Sequence, residues 1–254
     1  MSTLAYLEPS TVEWLNYSDR LYSFAIELLA GVDIMVTEKR SADPKVVAAS
    51  LLIRTASNFK GTLCLARENM IVEARTLARS CFENLFWIAG VQAEGDAFVQ
   101  DMGRDDLVST KWLTELVTEN ASIDQKRKKE LTDHLKKLTD GLLKPKRLNP
   151  NEVANKSVIS DFYGIYKMLS ADAAHPSVRA LSRYIVPALG GFRGITMDPT
   201  QRSGEMALTI HYACIALMGC CVVFNEMMGF TLVGKASGTL TDEFEALKAS
   251  TGIG

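Results

Sequence analysis

No CxxC pair occurs among the five cysteines, no histidine stands at zinc-ligand spacing, and no polar–apolar alternation runs long enough to read as a strand. The first two absences exclude a zinc framework. Cys64, Cys81, Cys214, Cys220 and Cys221 all sit in apolar helical patterns, which reads as buried free thiols in a reducing compartment rather than a disulfide scaffold. The missing alternation excludes a β architecture, so the chain reads as all-α. Charge of one sign is also missing: a formal net charge of −2 gives no overall attraction to nucleic acid or anionic lipid, and any such binding needs a local patch. The first residues carry no basic start followed by a long apolar run, so no secretion signal is read and a cytoplasmic location is expected. Internal repeats are absent too.

What is present is a succession of helical patterns. The 254 residues, 47 % of them hydrophobic, suffice for a sizeable core. The reading is a single bundle of about eight helices over residues 1–235, followed by a tail over 236–254 that reads as flexible before a short amphipathic turn at 244–247. Ser10-Thr11-Val12-Glu13 has the form of a capping box opening a helix to about residue 36, with Trp14, Leu15, Leu21, Tyr22, Ala25, Leu28 and Leu29 toward the core. Asp43-Pro44 supplies an N-cap and a proline at the first helical position of a second helix. Glu68-Asn69 breaks that helix, and in the third Ile71, Ala74, Ala78, Cys81, Leu85 and Ile88 recur at steps of three and four. A short break makes the second and third helices antiparallel neighbours.

A fourth helix is expected over 96–120, and Ser122 opens a fifth that carries Lys126-Arg127-Lys128-Lys129 and Lys136-Lys137. Interspersed Asp124, Glu130 and Asp133, with no aromatics between them, make that basic stretch a solvated face rather than a phosphate-backbone contact. Residues 145–150 read as a turn and 157–174 as a sixth helix. His175 falls at a boundary because the residue before a proline avoids the α conformation, with a short seventh helix beyond it. Residues 187–204 read as a surface loop with a small hairpin. The uncharged run 206–224 is long enough to cross a bilayer, but Glu205 and Asn225-Glu226 flank it and no basic cluster orients it. A buried core helix is therefore expected, with no membrane span.

The polar residues that break these apolar faces are the chemistry to explain. Arg54 and Asn58 share a helical face with Val47, Leu51, Gly61 and Leu65, and Arg75, Arg79 and Glu83 follow one another at four-residue steps. Buried arginine is costly unless paired. If the second and third helices pack as a hairpin, three guanidiniums share one interface with Glu83, an arrangement suited to a phosphate or carboxylate because the planar fork matches those anions. On the structural alternative, Arg54 bonds helix-end carbonyls, Arg79 pairs with Glu83 and Arg75 extends its head to water. His175 is the available general acid or base. His211 reads as a satisfied core histidine and His134 as exposed.

The patterns Arg54-x-x-x-Asn58-x-x-Gly61, Glu73-Ala74-x-x-Leu77-x-Arg79-Ser80-x-x-Glu83 and Tyr166-x-x-Leu169-Ser170-x-x-x-x-His175-Pro176-Ser177 resemble those of a bacterial all-helical family of unknown function, over roughly residues 45–177. More distantly, a helix ending in a histidine resembles HEPN domains, helical bundles that often act as metal-independent ribonucleases in toxin and defence systems. That resemblance implies His175, Arg79 and Glu83 as catalytic residues and Arg54, Asn58, Arg75 and Ser170 as ligand contacts. HEPN ribonucleases place an arginine shortly before the histidine, whereas this chain has Met168, Leu169 and Ser170, so the cation would have to come from Arg54, Arg75 or Arg79. The expected partners are a phosphate-bearing ligand or RNA and a second copy of the chain. No metal and no cofactor is expected. The alternative is a non-enzymatic interaction module whose polar network only sets helix register.

Overall fold

The computed structural model describes residues 7–120, 122–139, 146–156, 159–173, 177–187 and 193–254. Helix α1 (Pro9–Ala30), α2 (Pro44–Arg67), α3 (Ile71–Glu94) and α9 (Glu205–Met227) pack together, with α9 against each of the other three. The apolar stripe read in α3 is its core face: Ile71, Ala74, Ala78, Cys81, Leu85 and Ile88 are all fully buried. Of the candidates in α1, Trp14, Leu15, Leu21, Ala25 and Leu28 are buried, while Tyr22 and Leu29 pack at its margin.

Small residues let α9 sit at the centre. A Cβ on Gly219 would lie 2.9 Å from the Leu85 side chain, and one on Gly61 would lie 2.6 Å from Leu77, so α2, α3 and α9 approach where only glycine fits. The thiols of Cys214 and Cys220 lie 3.2 Å from Ser18 Oγ and 3.6 Å from Thr55 Oγ1, and each hydroxyl also donates to a carbonyl one turn back. Helix α9 is the one described helix long and apolar enough to cross a bilayer, and it is mostly buried among its neighbours. Cys64 differs from the other four cysteines: it is exposed on α2, correcting the expectation that all five are buried.

Helix boundaries follow local chemistry. Asp43 caps α2 by accepting from the Lys45 amide at 2.9 Å, with Pro44 at the first position. Asn69 takes a left-handed conformation (φ 58°) in the tight turn to α3, one of the few residue types to do so readily. Gly95 (φ 55°, ψ −126°) ends α3 and starts α4 (Asp96–Glu119) without an intervening loop, a backbone region that L side chains rarely enter. The capping box at Ser10 does not form. Helix α1 starts at Pro9 with Glu8 before it, the Glu8 carboxylate accepts instead from the Gly204 amide at 2.7 Å, and the helix ends at Ala30 before Gly31. Asp124, rather than Ser122, caps α5 (Gln125–Thr139) by accepting from the Arg127 amide.

Beyond the central helices, α6 (Pro150–Asn155) and α7 (Phe162–Ala173) pack on the outer side of α3, so the expected single helix over 157–174 is shorter, and a short helix precedes it. Helix α8 (Val178–Leu181) follows, and then an antiparallel pair, β1 (Ile185–Pro187) with β2 (Arg193–Ile195), the expected hairpin. The expected flexible tail is instead α10 (Ser237–Thr251), packed on α1. Phe244 is buried edge-on to Trp14, Thr251 accepts from the Trp14 indole at 3.2 Å, and Tyr17 donates to the Leu240 carbonyl. The amphipathic turn read at 244–247 is the part of this helix that meets the core, with Leu240 and Leu247 packed beside the buried Phe244.

Candidate functional site

Phe82 and Phe86 of α3 pack on Phe162, Tyr163 and Tyr166 of α7, and Arg79 adds the densest set of polar contacts between the two helices. Arg79 donates through Nη2 to Tyr166 Oη at 2.6 Å, through Nε to Ser170 Oγ at 2.9 Å and through Nη1 to Glu83 Oε2 at 3.2 Å. Its guanidinium also lies 4.7 Å from the centre of the Tyr166 ring. Tyr166 and Ser170 are one turn apart on α7, as Arg79 and Glu83 are on α3, so two helical rungs meet face to face. Burial and the Glu83 charge raise the Tyr166 pKa, partly offset by Arg79, so its hydroxyl stays protonated at neutral pH. Glu83 is not a buried partner: its side chain is 39 % exposed.

One turn earlier on α3, Arg75 is almost wholly buried. Its Nη2 donates to the Met168 carbonyl at 3.4 Å and its Nη1 lies 3.5 Å from Glu205 Oε1, the first residue of α9. Glu205 is held from a second side by Arg183, which forms a two-pronged pair with both carboxylate oxygens and also donates to the Thr200 carbonyl at 2.9 Å. The Arg202 amide donates to Glu205 Oε2 at 3.0 Å. Burial alone would raise the Glu205 pKa, but the Arg183 hydrogen bonds, the Arg202 amide and the Arg183 and Arg75 charges outweigh it and hold the carboxyl below its ordinary range. Glu205 is therefore ionised and clamped between two guanidiniums.

Two cavities flank this framework. The larger, about 540 Å³, opens beside Arg75, Arg179, Arg183, Arg202 and Glu205, with residues 252–254 on its far wall. Among its described lining residues, four arginines face a single carboxylate side chain. The second, about 480 Å³, is lined by Arg79, Tyr163, Tyr166, Ser170, Ser177 and Arg179, and shares Ala171 and Arg179 with the first. Arg179 and Arg202 are exposed, and their guanidiniums make no hydrogen bond or ion pair among the described residues.

The structure thus brings together Arg79, Glu83 and Ser170 and places Arg75 one turn away, but it does not bring Arg54 and Asn58 to them. Arg54 is exposed on α2 and Asn58 half-buried, and neither lines a described cavity. The face shared with Val47, Leu51 and Leu65 is the rim of α2. Its buried centre runs through Leu52, Thr55, Phe59 and Leu63, one step round the helix. The expected three-arginine interface between α2 and α3 is therefore not formed. His175 lies outside the described residues.

Arg179, Arg183, Arg202 and Glu205 were not legible as a site. The available signals were the four-residue spacing of Arg179 and Arg183 and the acid immediately before the uncharged run 206–224. No group of three or more His, Cys, Asp or Glu side chains able to hold a metal occurs among the described residues.

An all-helical bundle with an arginine-lined cleft between α3, the α7–α8 region and the start of α9 is the class of molecule this defines. The chain belongs to a family of unknown function, DUF5677, whose model matches residues 45–191. That span encloses α2, α3, α7 and α8, including the arginines of α3. No curated protein and no solved structure matches the chain.

Proposed function

We propose that the chain binds a phosphate-bearing ligand, a nucleotide or RNA, in the arginine-lined cleft. The observation that carries this reading is the pairing of a buried, ordered base with unengaged cations at the mouth. Arg75 and Arg183 are locked around Glu205, while Arg179 and Arg202 present guanidiniums with no described partner to the same cavity. A guanidinium fork meets phosphate oxygens in pairs, and in a partly enclosed cleft that attraction is less screened than on an open surface. Arg79, Glu83 and Ser170 then hold the framework, and Arg75 supports the cleft floor.

The HEPN resemblance extends the reading to a metal-independent ribonuclease in a cytoplasmic toxin or defence role. His175 would then move the proton, and an arginine would stabilise charge at the phosphorus.

The test is thermal unfolding with inorganic phosphate, nucleotides or a short single-stranded RNA. A ligand at a hundred times its Kd adds about 2.7 kcal/mol, which for a chain of this size raises Tm by roughly 5–10 °C. The shift should be lost in Arg179→Ala/Arg202→Ala, whose own Tm should stay close to wild type because both positions are exposed. The absence of any shift with all three probes would remove the binding reading. RNA cleavage in EDTA by wild type and not by His175→Ala would add the catalytic step.

A further inference from the structure

At the far end of α9 from Glu205, a cavity of about 250 Å³ lies between α1, α9 and α10. Leu21 and Phe24 of α1, Met218, Cys221 and Val222 of α9 and Leu240 of α10 form its wall, so the interior is apolar. Its charged lining residues, Glu226 and Lys235, are exposed and of opposite sign, and Gln92 already donates to Glu226. Unlike the arginine-lined cleft, the cavity therefore offers no net charge to an ionic ligand. An apolar cavity of about 150 Å³ takes up benzene, so this one has room for two fused rings.

The mouth is built at a cost. Phe230 stands there with 67 % of its surface exposed, and its backbone is left-handed (φ 62°), directly after a left-handed Gly229 (φ 81°). A bulky side chain at positive φ crowds its own carbonyl and persists only where the surroundings hold it. Asn225 supplies the hold: its carbonyl accepts from the Phe230 amide at 2.9 Å, and its Oδ1 accepts from the Thr231 amide and hydroxyl, both at 2.9 Å. Burial does not explain a ring that is mostly in solvent, and glycine would fit the same turn without strain. Asn225 also lines the cavity. An amide N–H donates to one end of its side chain, so that end is the oxygen, and the Nδ2 at the other end has no hydrogen-bond partner among the described residues. Apolar walls with a few placed polar groups are the usual make-up of a small-molecule site. We propose that this cavity binds a small uncharged molecule, about two fused rings in size with one hydrogen-bond acceptor, which Phe230 covers and to which Asn225 Nδ2 donates.

Calorimetric titration of the full chain with indanone, and with indane, which lacks the carbonyl, tests this independently of the arginine-lined cleft. Indanone should bind with a Kd of about 100 µM or tighter, within what a molecule of that size can reach. Indane should bind about fivefold more weakly, the value of one hydrogen bond. Phe230→Gly should weaken indanone binding at least about tenfold and leave Tm within about 2 °C of wild type, because release of the strain offsets the freer unfolded chain. A purely structural ring would instead lower Tm and leave binding unchanged. Val222→Phe fills the space from a half-exposed position and should abolish binding with unchanged helical circular dichroism. Should one variant fail to fold, the other decides alone. The proposal is overturned if neither probe binds, if indane binds as tightly as indanone, or if the folded variants bind like wild type. A wild type that binds neither probe but self-associates, and loses that association in Phe230→Gly, overturns it in favour of a contact between copies.

Discussion

Arg79 and Glu83 form an ion pair, but they do unequal work. Glu83 offers one contact at 3.2 Å from a half-exposed carboxylate, whereas Arg79 makes three hydrogen bonds and covers the Tyr166 ring. Screened pairs of the first kind contribute about 1 kcal/mol or less, and hydrogen bonds from a charged donor contribute about 1.5–3 kcal/mol. Denaturant unfolding should therefore show Glu83→Ala within about 1 kcal/mol of wild type and Arg79→Ala lower by about 2–3 kcal/mol. Arg79→Lys should be intermediate, since it keeps the charge and loses the fork.

His211 is a core histidine, as read, but not a satisfied one: its Nδ1 has no hydrogen-bond partner among the described residues. The ring stacks on Phe244 at 5.0 Å and meets Trp14 edge-on at 4.8 Å. Burial, with a smaller contribution from the Lys248 charge, pushes its pKa down to about 4. The unfolded ring titrates near about 6.5, so as pH falls the unfolded chain takes up the proton first. Stability from this group is complete above about pH 6.5, declines between there and pH 4 by at most about 3 kcal/mol, and changes no further below. His211→Phe keeps the stacking and should lose that component, so its Tm should fall less than wild type between pH 7 and pH 4.5.

At the scale of elements, two glycines inside or beside α4 separate packing from propensity. A Cβ on Gly90 would sit 2.4–2.8 Å from the buried Phe98 ring, which has no room to retreat, so Gly90→Ala should destabilise by about 1–3 kcal/mol despite its better helix propensity. Gly103, in α4, has nothing within 4 Å of the same position. Gly103→Ala should therefore stabilise by about 0.5–1 kcal/mol, the ordinary helix-interior difference. Paired urea melts check both signs. The α3–α4 junction depends on the first contact, since Gly90 against Phe98 sets how α4 leaves the body.

For the whole molecule, the burial of α9 makes the cysteines a reporter of global unfolding. Cys81, Cys214, Cys220 and Cys221 are buried and their pKa values raised by desolvation, those of Cys214 and Cys220 to about 12. Since the thiolate is the reactive species, a thiol reagent at pH 8 should modify Cys64 quickly and the other four only at the rate of unfolding. Fast modification of two or more thiols in the native chain would contradict the central place of α9.

Helix period, the Asp43-Pro44 cap and the break at Glu68-Asn69 were written in the chain itself, because each depends on residues within one or two turns, whereas the caps read at Ser10 and Ser122 gave way to Glu8 and Asp124. The first three sufficed for an all-α reading, for the start of α2 and for the core stripe of α3. Of the site, the sequence pointed to Arg75, Arg79 and Glu83, since charged groups at steps of four beside an apolar stripe call for partners wherever the helix goes, while Ser170 came only from the family resemblance. It misplaced Arg54, because periodicity marks a stripe and not which of its two margins a neighbour covers. Only the tertiary structure could join Arg75 to Glu205 and Arg79 to Tyr166, pairs separated by the whole span between α3 and α7 or α9. It also held α10 against α1 through Phe244: the amphipathic turn at 244–247 was legible, but its partner Trp14 lies at the other end of the chain and could not be read locally.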